Sequence, residues 1–185
     1  AEARLQGIDP VTGQPVKPRS RTQPKSFSPA AWRTPGHRRE LRWLNTDEVM
    51  GIHRELVEDF ASSPDPIMPA GVRSESLLAS AVFRPRTALG DVAKYPTVET
   101  AAAALLHSLI HDHPFHNGNK RTALVATLVF LDENGLYPDF DQGAVFKLLL
   151  LVAQHRIVDT YADSLADSEV LAIADWLCAH CRVLE

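Results

Sequence analysis

Cysteine is almost absent from this chain, with only Cys178 and Cys181 in 185 residues, too few for the disulfide frameworks that staple small secreted domains. The two sit three apart near the end of an apolar-periodic segment. That spacing can form half of a zinc site or a redox pair, but no second pair and no βαβ pattern accompany it, so it predicts one helix face in a reducing compartment. No apolar run approaches the roughly 20 residues that span a bilayer, and no charged start leads into an apolar signal stretch. These absences argue against a disulfide scaffold and a helical membrane protein, and predict a cytoplasmic chain without a membrane partner. The first residue is Ala1, the expectation for a processed or trimmed start.

The 45% hydrophobic content supports one ordinary core. Formal charge is −4, unevenly spread: eight basic against two acidic side chains up to Arg39 give a local +6 and leave −10 for the rest. The basic stretch is rich in Pro, Ser, Thr and Gln and lacks helical periodicity. It predicts an irregular extension over residues 1–40, pinned at its end by Trp32, Leu41, Trp43 and Leu44, ahead of a folded domain over 41–185. A nucleic-acid arm is the alternative, since clustered cations bind phosphate backbones through counterion release. No reading module or aromatic interleaving accompanies the charges, so nucleic acid is not the expected partner.

The domain alternates helix-like runs with short polar breaks. Thr46 is placed to cap a helix through about Phe60, Ser74 one through about Phe83, and Thr97 an Ala/Leu-rich helix running into Asp112. Further helices are predicted over Ala144–His155 and Ser168–Val183, so the fold class is all-α, a packed helix bundle. The stretch Arg84–Tyr95, with Pro85 and Gly90, breaks the pattern.

The chemistry concentrates in His113-Pro114-Phe115-His116-Asn117-Gly118-Asn119-Lys120-Arg121. An apolar pattern follows it to Glu133-Asn134-Gly135, where Gly135 is placed as a left-handed C-terminal cap and Asn119 as the N-cap. A helix beginning there aims free N–H groups and a partial positive charge back at the loop. Lys120 and Arg121 add two cations where they oppose the helix dipole, which an anion would offset; a solvated basic helix start is the bland alternative. His113 supplies an imidazole able to take a hydroxyl proton near neutral pH, and Phe115 reads as an anchor burying its ring.

This loop resembles the signature of the Fic/Doc (Fido) family. Upstream, Gly71 to Ala81 resembles the family's helix beneath the site, and Thr100 to Asp112 its helix leading into the loop, so about residues 44 to 136 are covered. Lys120, followed by Arg-Thr-Ala, resembles the Doc (death-on-curing) toxin branch rather than the glycine of Fic proteins. The resemblance implies a helical Fido fold with a small β-hairpin flap at residues 84–95 that docks a target protein by strand addition. It also implies phosphoryl transfer from ATP with Mg²⁺ to a hydroxyl of elongation factor Tu or a similar target. His113 would be the base, Asn119 and the Gly118 backbone would hold phosphate oxygens, and Lys120 and Arg121 would neutralise charge. Asn117 stands where relatives carry a Mg²⁺-binding carboxylate, leaving a weak metal position. The alternatives are Fic-type AMP transfer and a non-catalytic nucleotide-binding interaction protein. Fic relatives often inhibit themselves through a Ser or Thr, three residues, Glu and then Gly or Asn. Here Val129 precedes Glu133-Asn134, so the expected control is an antitoxin acting in trans.

His107, His111, His113 and His116 fall within ten residues, and His107 and His111 share a helix face as zinc ligands can. The glutamate of a metalloprotease helix is missing between them, so core histidines are expected, with a zinc hydrolase as the alternative.

Overall fold

The computed structural model describes residues 34–158 and 165–184, within a compact unit running from Thr34 to Glu185. Trp32 and the rest of residues 1–33 lie outside the described residues. The architecture is mainly helical: α1 Thr46–Asp59, α2 Glu75–Phe83, a 3-10 turn Arg84–Arg86, α3 Val98–His111, α4 Asn119–Glu133, α5 Gln142–Ala153 and α6 Leu165–His180. Two short antiparallel pairs complete it, β1 Ala88–Leu89 with β2 Val92–Ala93, and β3 Leu136–Pro138 with β4 Cys181–Val183.

Helix α3 is the axis of the fold. Every residue from Val98 to Ile110 is buried, as an apolar-all-round helix requires. Its run Ala101 to Ala104 has no exposed surface, so small side chains let neighbouring helices approach closely. Leu106, Leu109 and Ile110 meet Phe130 and Leu131 of α4 and Ile173 and Leu177 of α6 in one core. Burying such side chains is worth about 1.5–3 kcal/mol each. Thr97 caps this helix as expected, exchanging bonds with Thr100 in a capping box.

Local chemistry corrects three boundaries. Asn45 caps α1 instead of Thr46, because its side chain accepts from Glu48 N–H while Glu48 returns a bond to the Asn45 N–H. Asp141 caps α5, accepting from Ala144 N–H. The last helix stops at His180, where Cys181–Val183 pairs with Leu136–Pro138. Cys178 therefore lies on α6 and Cys181 on β4. Burial pushes the Cys181 thiol up to about 11, which keeps it protonated.

Residues 34–40 dock on the body. Thr97 Oγ1 donates to Pro35 O at 2.6 Å and Val98 N–H to His37 O at 3.0 Å. The fully buried Glu99 takes the His37 N–H at 2.7 Å and lies 2.5 Å from His37 Nδ1, satisfying a carboxylate that would otherwise be costly inside. Arg39 bonds the Asn134 carbonyl, and the Asn134 amide exchanges two bonds with the Arg42 backbone at 2.8 and 2.9 Å. Gly135 adopts φ +71 as the left-handed residue that ends α4.

Candidate functional site

The loop between α3 and α4 lies against residues 71–74. Arg73 and Ser74 donate backbone N–H groups to Pro114 O at 2.7 and 3.2 Å, and His116 N–H reaches Gly71 O at 3.1 Å. Arg73 also directs its guanidinium at the loop entrance, bonding His113 O at 2.8 Å and Asp112 O at 3.0 Å. These contacts hold His113 at φ +47, an uncommon conformation for a residue with a Cβ. Such strain persists where surroundings over-determine it, and it clusters at functional sites. The turn swings the exposed His113 side chain away from the core that holds its neighbours on α3.

Beneath the loop, Phe115 is 1% exposed and stacks on His53 at 4.0 Å. His53 Nε2 accepts the Gly71 N–H at 3.2 Å, so its Nδ1–H donates to Thr122 Oγ1 at 3.0 Å. Burial lowers the His53 pKa, favouring this neutral tautomer. One buried imidazole thus joins α1, the segment before α2, the loop and α4. Sequence reasoning missed it, although its placement between Val49 and Leu56 on the buried face of α1 was a readable signal.

A cavity of about 340 Å³ opens above the loop, lined by Asp65, His113, His116, Asn117, Gly118, Asn119, Lys120 and Arg121. All six predicted site residues therefore meet in one place, but their geometry differs from expectation. Gly118, not Asn119, is the N-cap of α4 and takes φ +74. A Cβ at Gly118 would lie 2.9 Å from Ile67, so glycine is required for both conformation and space. Asn119 is the first helical residue, and its amide clasps Phe115, accepting from the N–H and donating to the carbonyl at 2.9 Å each. Its side chain braces the loop, while the open N–H groups of the α4 first turn remain available to an anion.

Asn117 is similarly engaged. Its amide oxygen accepts from Gly118 N–H at 2.6 Å and its nitrogen donates to Met68 O at 2.8 Å. Arg121 forms an ion pair with Asp65, bonds the Asp65 carbonyl at 3.0 Å and lies 4.4 Å above the Phe60 ring. Part of its charge is thereby answered within the protein. Lys120 and His113 are exposed at the cavity rim. The cavity thus suits an anionic phosphate group, whereas its donor set suits Mg²⁺ poorly: Asn117 is uncharged, and the one lining carboxylate, Asp65, is paired with Arg121.

The Arg84–Tyr95 region forms the expected small hairpin, with Ala88 opposite Ala93 and Leu89 opposite Val92. Leu89 and Val92 are 87% and 72% exposed. Among the described residues, no helix is long and apolar enough to cross a membrane. His107 and His111 do not line the loop cavity; they face Glu169 of α6 in the interior.

This combination of a central buried helix, a histidine-led turn and a glycine-initiated helix is that of the Fic/DOC family, to which the chain belongs; the family's sequence model matches residues 43–131. A relative is the protein named Toxin Doc from Mycolicibacterium smegmatis. It is 42% identical over 97 residues, which cover 51% of this chain and 72% of the relative.

Proposed function

We propose that the protein is a Doc-type toxin enzyme that transfers a phosphoryl group from ATP to a hydroxyl of a target protein, elongation factor Tu being the first candidate. The observation that carries this reading is the placement of exposed His113 and Lys120 on either side of one loop, around a cavity of about 340 Å³ at a helix N-terminus. ATP would supply the phosphoryl group. The His113 imidazole takes the hydroxyl proton, and Lys120 with the α4 N–H groups faces the phosphate charge. Lysine in the first turn offers a point charge to a terminal phosphate and fills space that an α-phosphate would need in AMP transfer. Because the donor set fits Mg²⁺ poorly, that ion would enter held by the phosphates of ATP.

The exposed Leu89 and Val92 support target docking on the 84–95 flap. The relative's name, Toxin Doc, supports restraint by a separate antitoxin. Intact-mass spectrometry of elongation factor Tu after incubation with the protein, ATP and Mg²⁺ tests the reaction. A gain of about 80 Da that disappears with His113→Ala is the expected outcome; a gain of about 329 Da would replace it with AMP transfer. ATP binding with no adduct on any protein of a cell extract would leave a non-catalytic nucleotide-binding role.

A further inference from the structure

Helix α3 carries a second set of histidines that the proposed reaction does not use. His107 and His111 lie one turn apart and turn inward, where Glu169 of α6 is fully buried. His107 Nε2 is 2.8 Å from Glu169 Oε2, and His111 Nε2 is 4.0 Å from the same oxygen. His155, just beyond α5, brings Nδ1 within 3.1 Å of both carboxylate oxygens. His111 Nε2 is buried and has no hydrogen-bond partner, an uncommon and costly state for a polar nitrogen.

We infer that His107, His111 and Glu169 form a binding site for one first-row transition-metal dication of the zinc class, with the fourth position left to water. Four donors at metal–ligand distances of 2.0–2.2 Å in a tetrahedron lie about 3.3 Å apart. The ligand atoms of His107, His111 and Glu169 all lie within 4.8 Å of one another, and the 2.8 and 4.0 Å separations from Glu169 Oε2 bracket that edge. Two imidazoles and a carboxylate suit zinc better than Mg²⁺ or Ca²⁺, which prefer oxygen ligands. A metal would also give the unpartnered His111 nitrogen its missing contact.

The surrounding groups permit loading. His111 Nε2, with no hydrogen-bond partner, is the nitrogen open to a metal without breaking an existing bond. Arg84 Nη1 lies 3.1 Å from His107 Nδ1, which fixes the His107 proton on Nε2 in the empty site. Coordination through Nε2 moves that proton to Nδ1, where it opposes the Arg84 N–H, so loading requires Arg84 to turn from His107 while keeping Ser108 Oγ and the Tyr95 hydroxyl as acceptors. The His155 side chain is 50% exposed and provides the route for entry. The site lies where α3, α5 and α6 converge, so a bound ion would fasten the elements behind the loop.

The test is titration of the chelator-stripped full chain with Zn²⁺ against a chromophoric competitor, and with Co²⁺ followed by visible absorption. One equivalent of Zn²⁺ and a tetrahedral Co²⁺ spectrum are expected. Loss of affinity in His111→Leu should exceed the roughly 10–100-fold that removing an outer partner costs. Half-exposed His155→Ala provides the second variant, tolerant of folding; it removes an outer partner of the Glu169 carboxylate and should weaken binding roughly tenfold. His113→Ala should bind normally, which separates this site from the loop. Absence of binding by folded wild-type protein overturns the proposal. So does stoichiometric binding that survives both His111→Leu and His155→Ala, which would place the ion elsewhere, for example at Cys178 and Cys181.

Discussion

The same helix ends in two groups of histidines with opposite surroundings. His107 and His111 are turned into the interior toward a buried carboxylate, while His113, two residues past His111, is turned out by a positive φ into an open cavity. The difference comes from the backbone held around each ring. The helix repeat keeps His107 and His111 on one inward face, whereas Arg73 and the paired 71–74 segment impose the turn that exposes His113. Burial suits an imidazole for holding neighbours together or accepting a metal; exposure beside a helix N-terminus suits it for moving a proton.

The comparison is broken most forcefully by removing His113 from the exposed group and, from the buried one, the Glu169 carboxylate that holds it. His113→Ala should reduce phosphoryl transfer by about 10²–10⁴-fold while leaving the urea midpoint nearly unchanged, since the side chain is exposed. Glu169→Ala should do the reverse in kind. It strips His107 and His155 of their shared acceptor inside the core, and should lower unfolding free energy by about 3 kcal/mol. Equilibrium denaturation and a turnover assay on both variants check the pair. Equal stability losses would show that the two groups are not functionally divided.

Acid sharpens the contrast less abruptly. The pKa values of His53, His107 and His111 are lowered in the folded chain, that of His111 to about 4 from an ordinary 6.5. Between those values the unfolded chain binds more protons, so the stability contributed is fully present above about pH 6.5 and is lost as pH falls toward 4. Each such histidine adds a slope of up to about 1.4 kcal/mol per pH unit. Denaturant midpoints measured across that window should fall steadily, and His111→Leu should flatten the fall. A pH-independent midpoint would mean the buried rings are already charged.

The helices and the loop were legible because their signals are local. Ser74 and Thr97 cap where their side chains can reach the next free N–H, and Gly135 ends α4 in the conformation only glycine takes readily. Asn119 was misread because asparagine is a common cap, whereas its side chain here folds back on Phe115; Gly118, by taking φ +74, displaced it from the cap position. The rest depends on distant partners. The β3–β4 pair joins Leu136 to Val183, Arg73 reaches a loop 40 residues on, and His107 meets Glu169 across 62 residues. No periodicity within one helix announces such meetings, so His107 and His111 looked like ordinary core residues.

The smallest expected effect lies at Asn117, within the exposed group. Its oxygen now receives the Gly118 N–H, and its nitrogen donates to Met68 O. Asn117→Asp keeps the first contact, since a carboxylate accepts the same bond, and loses only the exposed second one. In exchange it places an anionic oxygen on the cavity wall, where the other carboxylate, Asp65, is committed to Arg121. Hard Mg²⁺ prefers such a ligand over an amide, so the Mg²⁺ concentration giving half-maximal transfer should fall severalfold, with turnover equal or higher. A Mg²⁺ titration that is unchanged, or lower turnover at saturating Mg²⁺, would show that Asn117 serves the turn alone and that the ion meets the site only through the phosphates it carries.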